Sequence, residues 1–155
     1  MASYDRGTSE PAGGAEGALT AGRDVLLLIG RVALGVLFLQ SGFGKLTSLA
    51  GFAAGLEGMG VPMAYPMALI GAAVEFLGGL ALVVGAWTWL SSLALVAFTV
   101  VATLLAHRYW AVPPEQQGMQ QIQFMKNLAV IGGLLVLAVA GPGRYAIDAM
   151  LRRRP

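Results

Sequence analysis

Four long apolar segments, separated by short breaks, dominate the pattern of hydrophobic and polar positions along this chain of 155 residues. They span about residues 24–46, 63–85, 87–106 and 123–140, and a helix needs about 20 residues to cross the hydrocarbon of a bilayer. Only helices and closed barrels satisfy the backbone within lipid, and these segments are too long for barrel strands. The predicted fold is therefore all-α: a membrane four-helix bundle with short connections.

The residues between the segments indicate where the predicted helices end. Gly85 and its neighbour leave almost no room between the second and third segments, so these helices are expected to form a tight hairpin. Residues 108–121 are polar and contain two adjacent prolines, which predicts a solvated loop, and Gly-Pro-Gly at 141–143 ends the fourth segment. Apolar residues three and four apart within 47–62 predict a short helix, either on the membrane surface or on top of the bundle.

The two ends of the chain differ in composition from its apolar part. Residues 1–23 are rich in Gly, Ala, Ser and charge and lack an apolar core, which predicts a disordered tail. Residues 24–149 are expected to form one membrane domain, and residues 150–155 are expected to form a short basic tail.

Composition and charge restrict the class of protein. Mean hydropathy is +0.72 and only 12% of residues are charged, against about 25% in soluble domains. The net charge of +2 does not indicate nucleic-acid binding, because the basic residues lie at the ends of the apolar segments and in the tail. The chain has no cysteine and one histidine, so it encodes no thiolate metal site, iron–sulfur cluster or bis-histidine haem of its own. No covalent cofactor is expected.

The positions of Lys and Arg predict the orientation in the membrane. Four crossings place both termini on the same side, which then holds six basic residues, while the opposite side holds three and Arg31 lies inside the first segment. Because cytoplasmic loops carry the excess of Lys and Arg, both termini are expected in the cytoplasm.

Polar residues inside the apolar segments are the first candidates for function, because charged groups are costly in a membrane and commonly mark ligand or proton sites. The candidates for handling a ligand or protons are Arg31, Lys45, Glu75, Lys126 and Asn127. Alternatively, the two lysines extend to the membrane interface and the asparagine forms an interhelical hydrogen bond. No catalytic residue can be assigned, and His107, which has no nearby pair of carboxylates, is not expected to bind a metal.

Arg31 and Glu75 are predicted to form an ion pair. Their estimated depths in the membrane differ by roughly 5 Å at a helical rise of about 1.5 Å per residue, and an arginine side chain spans that difference. The pair has two readings: a structural contact that fixes the register of two helices, or a site near the midplane that handles protons or a ligand.

Glycines lie on or beside the faces that carry these charged residues. Small residues let membrane helices approach closely, so they are predicted to lie at helix contacts. The five positions are Gly35, Gly42, Gly71, Gly78 and Gly79.

Three motifs, taken in order, resemble those of a known family. They are LFLQSGFGKL at 37–46, EFLGGLALVVG at 75–85 and FMKNLAVIGGLLVLAVAGPGRYAID at 124–148. Together they resemble the DoxX family of small bacterial membrane proteins over about residues 24–149. The resemblance implies a four-helix bundle in the bacterial inner membrane, with Asp148 as a cap or ion-pair partner near the cytoplasmic surface.

The resemblance also implies a function. DoxX members are similar to the small subunit of thiosulfate:quinone oxidoreductase, so we expect a subunit of a quinone-linked membrane oxidoreductase complex. A quinone would be the ligand, with Arg31 and Glu75 as its polar contacts and Phe38 and Phe76 as stacking surfaces, and a partner would donate the electrons. Whether the chain is itself an enzyme stays open.

A non-catalytic role is the alternative, because the wider superfamily includes membrane chaperones. The protein would then be a scaffold or chaperone for a partner protein, with the lipid bilayer and self-association as its other contacts. A cavity open to lipid beside Glu75 favours the quinone hypothesis, whereas a tight, dry Arg31–Glu75 pair with no cavity favours the scaffold. A solute transporter is less favoured, since the sequence shows no internal repeat.

Overall fold

The computed structural model describes residues 12–152, which fold into a bundle of α-helices. The helices of this range are α1 (Ala12–Thr47), α2 (Leu49–Gly58), α3 (Ala64–Val84), α4 (Thr88–Ala106), α5 (Pro114–Ala140) and α6 (Ile147–Arg152). A short 3₁₀ helix, Tyr109–Ala111, joins α4 to α5. The predicted all-α bundle is confirmed.

Among the described residues, α1, α3, α4 and α5 are long and apolar enough to cross a membrane. Many of their large apolar side chains point out of the bundle, for example Ile29, Leu77, Leu90 and Val139. An apolar surface of this extent is unusual on a soluble monomer, whereas lipid tails solvate it. The bundle is therefore that of a multi-pass membrane protein.

The first helix starts earlier than the sequence predicted. α1 begins at Ala12, so residues 12–23, predicted as part of a disordered tail, are helical, while residues 1–11 lie outside the described residues. This stretch holds four alanines, the most favourable helix formers, but also four glycines, which are unfavourable, so its helix depends on continuation from the apolar segment that follows and not on its own composition.

The last membrane helix also starts earlier. α5 begins at Pro114, so most of the predicted 108–121 loop is helical. Proline is favoured at the first helical position, where its missing N–H has no partner to lose, and the glutamines that follow are good helix formers. The predicted basic tail starts within α6, and residues 153–155 lie outside the described part of the chain.

Gly85 closes a tight hairpin between α3 and α4. Its φ of +73° lies in the left-handed region that favours glycine, and its N–H donates to the Ala81 carbonyl at 2.9 Å. A Cβ at this position would also overlap the guanidinium of Arg31. Glycine is therefore required here both for its backbone conformation and for space.

Helices α1 and α3 pack with their backbones close together. A Cβ on Gly42 would overlap the backbone nitrogen of Phe76. A Cβ on Gly79 would lie 2.5 Å from the backbone nitrogen of Leu39. A Cβ on Gly35 would lie 2.9 Å from the Gly79 carbonyl oxygen. Because lipid is as apolar as the side chains, close van der Waals packing of this kind is a main source of stability in a membrane bundle.

Helix α4 packs on the other side of α3. A Cβ on Gly78 would lie 3.0 Å from Leu95 Cγ, and a Cβ on Gly71 would lie 3.2 Å from Phe98 Cε2. The adjacent buried core is contributed by all four membrane helices and consists of Phe38, Leu82, Leu95, Leu134 and Leu137. This core holds the helices around the polar residues described next.

Candidate functional site

Glu75 is a buried carboxylate near the middle of α3. It follows Ala64 by eleven residues, or about 16 Å along the helix axis, and is 4% exposed. Its carboxylate forms an ion pair with the ammonium group of Lys45, and the Ser41 hydroxyl donates a hydrogen bond to its Oε1 at 3.2 Å. Both the charge that balances this acid and the hydroxyl that donates to it therefore come from the last turns of α1.

Lys45 is held in the bundle by more than its ion pair. Its Nζ lies 5.1 Å from the centroid of the Phe52 ring and 5.3 Å from that of Phe98, within the range of cation–π contacts. The side chain is 27% exposed, against 6% for that of Glu75. Lys45 therefore turns inward between an acid and two rings instead of extending to the membrane interface.

A cavity of about 230 Å³ lies beside this pair. Its polar lining comes from all four membrane helices and consists of Ser41, Lys45, Glu75, Thr99, His107, Lys126 and Asn127. Its apolar lining consists of Leu37, Phe38, Phe98, Ala102 and Val130. We refer to this space as the Glu75 cavity.

Hydrogen bonds between α4 and α5 form another wall of the Glu75 cavity. Asn127 Nδ2 donates to Thr103 Oγ1 at 2.9 Å, and that hydroxyl donates to the Thr99 carbonyl at 2.6 Å. Nearby, His107 Nδ1 lies 2.8 Å from Gln120 Oε1. Asn127 thus forms an interhelical hydrogen bond, one of the two roles that its sequence position allowed, and it also lines the cavity.

The predicted Arg31–Glu75 ion pair is wrong. Arg31 is buried at the far end of α3, where Nη1 donates to the carbonyls of Leu82 at 2.8 Å and Val83 at 3.0 Å. Its Nη2 donates to the Tyr145 carbonyl at 2.8 Å. The guanidinium therefore satisfies the last carbonyls of α3, where a cation is favourable, and holds down the segment after α5.

The register between α1 and α3 explains the error. Gly42 on α1 faces the backbone of Glu75 and Phe76, and Gly35 faces Gly79 and Val83. Arg31, one turn before Gly35, therefore lies opposite the end of α3 and not opposite its middle. The sequence-based depth placed the start of the first helix at residue 24 and contained no information on this register.

The same end of the bundle is closed by two carboxylates. Asp148 accepts hydrogen bonds from the N–H groups of Trp87 at 2.8 Å and Thr88 at 2.9 Å, and so caps the start of α4.

Asp148 also interacts electrostatically with Arg31, and Asp24 Oδ1 accepts a hydrogen bond from the Arg144 N–H at 3.1 Å. These contacts, which we call the terminal latch, fix residues 141–148 against α1 and the start of α4. The capping role implied for Asp148 is present.

The N–H groups at the start of α4 also set the protonation of Asp148. Burial is the largest single influence and would raise the pKa of this carboxyl group, but the hydrogen bonds from Thr88 and Trp87 and the charge of Arg152 together outweigh it. The pKa of Asp148 is therefore below its ordinary value of 3.8, and the latch carries an ionised carboxylate at neutral pH.

The predicted candidates thus divide between two places. Lys45, Glu75, Lys126 and Asn127 come together at the Glu75 cavity, and Arg31 belongs to the terminal latch. Of the two predicted stacking rings, Phe38 lines the cavity, whereas Phe76 lines an apolar groove with Gln40 and Phe43.

Sequence reasoning missed two polar residues of the cavity, Ser41 and Thr99, and considered His107 only as a metal ligand and not as part of its lining. Ser41 precedes Lys45 by one helical turn, and this spacing is a signal for a shared face. Thr99 gives no such signal, because threonines in membrane helices commonly bond to their own backbone, as Thr99 does to the Leu95 carbonyl. Within residues 12–152, no three His, Asp or Glu side chains converge as metal ligands would.

Comparisons with known proteins agree with this architecture. The DoxX family model matches residues 26–108. The inner membrane protein YqjF of Escherichia coli K12 is 38% identical over 132 residues, covering 84% of this chain and 95% of that protein. The inner membrane protein YphA of the same strain is 31% identical over 128 residues, covering 83% and 91%. No solved structure matches significantly.

A more distant similarity concerns only part of the chain. A surfeit locus protein 4 homolog of Drosophila melanogaster is 35% identical over 68 residues, which is 43% of this chain and 25% of that protein. The family model, in contrast, covers more than half of the chain, and the two Escherichia coli relatives match along nearly their whole length. This protein is therefore a multi-pass inner membrane protein that belongs to the DoxX family.

Proposed function

We propose that this protein is the quinone-binding membrane subunit of an oxidoreductase complex, and that the Glu75 cavity receives the quinone headgroup. The observation that carries the proposal is a space of about 230 Å³ at a buried acid, walled by four membrane helices. A structural ion pair needs no such space, because buried groups of that kind are normally close-packed.

The polar lining of the cavity fits a quinone headgroup. When bound, a quinone supplies two carbonyl oxygens that accept hydrogen bonds and take up electrons and protons. Lys45 and Ser41 provide N–H and O–H donors beside Glu75, and Lys126 adds a second cation to the lining. Glu75 is the group that can hold a proton near the middle of the membrane.

The size of the cavity suits a headgroup and leaves the isoprenoid tail outside. Pockets for drug-sized ligands measure about 300–1,000 Å³, so 230 Å³ accommodates a single substituted ring. Leu37 lines the cavity and is also 41% exposed on the outside of the bundle. Helix α1 contacts α5 far less than it contacts α3, so we expect the tail to leave through the α1–α5 seam into lipid.

Electrons must come from a partner. The chain has no cysteine and one histidine, so it cannot bind an iron–sulfur cluster through thiolates or a haem through two histidines of its own. We therefore expect no turnover by the isolated chain. The partner would dock where Lys45 and His107 lie, at the end of the bundle opposite the terminal latch.

A native mass spectrum of the protein, released gently from its own membranes, tests the proposal. We expect a bound mass equal to that of the host quinone. Ala102→Phe fills the cavity without removing the Glu75–Lys45 pair and should abolish that mass. Ala97→Phe is the matched control, because Ala97 lies on the same helix with its side chain exposed outside the bundle, and it should retain the quinone.

Two results would contradict the proposal. Retention of the quinone by a folded Ala102→Phe variant would show that the headgroup binds elsewhere. A stoichiometric protein partner with no small-molecule mass would favour the alternative, a scaffold or chaperone, in which Glu75 is a structural acid held by Lys45.

A further inference from the structure

Gln40 is a polar side chain on the outer surface of the bundle, at mid-membrane depth. It is exposed and borders the same apolar groove as Phe76 and Leu80. Phe76 lies near the middle of α3 and Leu80 one turn further along, so the Gln40 amide faces hydrocarbon and not the headgroup region. The rest of the groove is formed by Val36, Leu39 and Phe43.

The Gln40 amide has no partner within residues 12–152: none of these residues donates a hydrogen bond to it or accepts one from it. Lipid tails offer neither donors nor acceptors, and water is scarce at this depth. Leaving a primary amide unpaired in hydrocarbon is costly, so a second protein surface that pairs with it would be stabilised.

Exposed residues of α1 that include Gln40 form a seam typical of helix pairing. They recur at alternating steps of three and four and are Leu26, Ile29, Ala33, Val36, Gln40 and Phe43. This is the spacing at which two helices pack along a left-handed crossing, and a single polar residue in such a seam fixes register and oligomeric state. Gln40 is the one polar member of these six.

We propose that this seam is the interface of a homodimer in which α1 of two copies pack together and their Gln40 amides pair across a two-fold axis. A primary amide carries both a donor and an acceptor, so it complements itself, and a two-fold interface brings the same residue of each copy together. The seam contains no charge, so nothing in it selects a charged partner. A second copy of the chain can therefore pack on this seam and supply, through its own Gln40, the donor and the acceptor that the amide needs.

Cross-linking in native membranes tests the interface, since the natural chain has no cysteine to interfere. Val36→Cys places a thiol in the seam, and Ala94→Cys places one on the exposed face of α4 at a similar depth, next to the Leu95–Gly78 contact. With a membrane-permeant copper oxidant, we expect a disulfide-linked dimer from Val36→Cys and little from Ala94→Cys. Equal cross-linking of the two variants, or a cross-link to a protein of another mass, would overturn the proposal.

The role of Gln40 needs a separate measurement. Fluorescence energy transfer between labelled copies in lipid vesicles of varying protein-to-lipid ratio gives the dimerisation constant. Gln40→Leu should weaken it by roughly 3- to 20-fold, the range that interhelical hydrogen bonds in membranes provide, whereas Gln40→Asn should retain much of the affinity. An unchanged constant for Gln40→Leu would contradict the amide pairing. Neither result bears on quinone binding in the Glu75 cavity, which lies on the other side of α1.

Discussion

Glu75 and Lys45 form an ion pair whose two members differ in their access to polar surroundings. Glu75 lies near the middle of α3 with its side chain 6% exposed, whereas Lys45 lies two residues before the end of α1 and is 27% exposed. A lysine in such a position can extend its long side chain toward the headgroups, but the short carboxylate cannot. Removing either partner should therefore have unequal consequences.

We expect Lys45→Met to destabilise the fold by about 3 kcal/mol or more, because it strands a carboxylate at mid-membrane depth. Glu75→Gln should cost clearly less, since the freed Lys45 can reach the interface. The double variant should recover much of the loss of Lys45→Met. Unfolding in mixed micelles with increasing denaturing detergent measures all three, and equal losses for the two single variants would contradict this order.

Asp148 makes the stability of the terminal latch depend on pH. Its pKa is lowered in the folded protein, so the ionised carboxylate stabilises the fold above the ordinary value of 3.8, and this contribution is lost as the pH falls through the lowered value. At neutral pH, the carboxylate acts on the first N–H groups of α4 as a capping residue does.

Asp148→Ala should lower stability at pH 7 by about 1 kcal/mol, the usual effect of removing a cap. The difference between this variant and the natural protein should begin to shrink once the pH falls below 3.8, where the unfolded chain takes up a proton, and should disappear as the pH falls through the lowered pKa, where the folded protein loses the charge as well. Melting temperatures of the two proteins between pH 7 and pH 3 check this, with Glu57→Ala, an exposed acid on α2, as the control. A difference that stays constant over this range would exclude the charge as its cause.

At the scale of helices, glycine contacts set the spacing and register of α1 and α3. Gly42, Gly79 and Gly35 each leave no room for a Cβ against the neighbouring backbone. The register that they fix brings the last turns of α1 beside Glu75, and so determines that Lys45 and Ser41, and not Arg31, reach the acid. The close contact between α1 and α3 therefore determines which polar groups line the cavity.

Gly42→Ala should destabilise the bundle by about 1–3 kcal/mol, because the added Cβ overlaps the backbone of Phe76 and forces the two helices apart. Gly44→Ala, two residues away on the same helix, is the matched control: a Cβ there meets no atom within 4 Å, and alanine favours a helix. Thermal unfolding in detergent compares the two. Similar melting temperatures for both variants would show that α1 and α3 are not locked at Gly42.

At the scale of the whole molecule, the two ends of the bundle have different structures. The end that carries both termini is closed by the terminal latch, with Arg31 and Asp148 buried or hydrogen-bonded within it. Toward the opposite end lies the Glu75 cavity, with His107 at the end of α4 in its lining. Access to the cavity from water is therefore expected from the side opposite the termini.

Orientation decides which compartment that side faces. The excess of Lys and Arg on the terminal side predicts cytoplasmic termini, so the cavity would be reached from the outer side of the membrane. A reporter enzyme that works only outside the cytoplasm, fused after Pro155, should be inactive, and the same reporter inserted at residue 60, in the α2–α3 connection, should be active. The reverse pattern would place the cavity and any electron-donating partner on the cytoplasmic side.

The sequence by itself determined the membrane helices and the tight α3–α4 turn. Long apolar segments admit no other structure in lipid, and Gly85 indicates where the chain must reverse. The sequence also identified Glu75, Lys45, Lys126 and Asn127 as candidate site residues, because placing a polar group in an apolar membrane segment costs free energy whatever its partner is.

Only the tertiary structure decided which of these residues meet. Helical periodicity indicates the face on which a residue lies, but the sliding register of two helices depends on backbone contacts such as that of Gly42 with Phe76. Fourteen residues of α1, or about four helical turns, separate Arg31 of the predicted pair from Lys45 of the observed pair. The Glu75 cavity likewise exists only because four helices bring residues that are far apart in sequence around one space, and local pattern has no means of specifying such long-range packing.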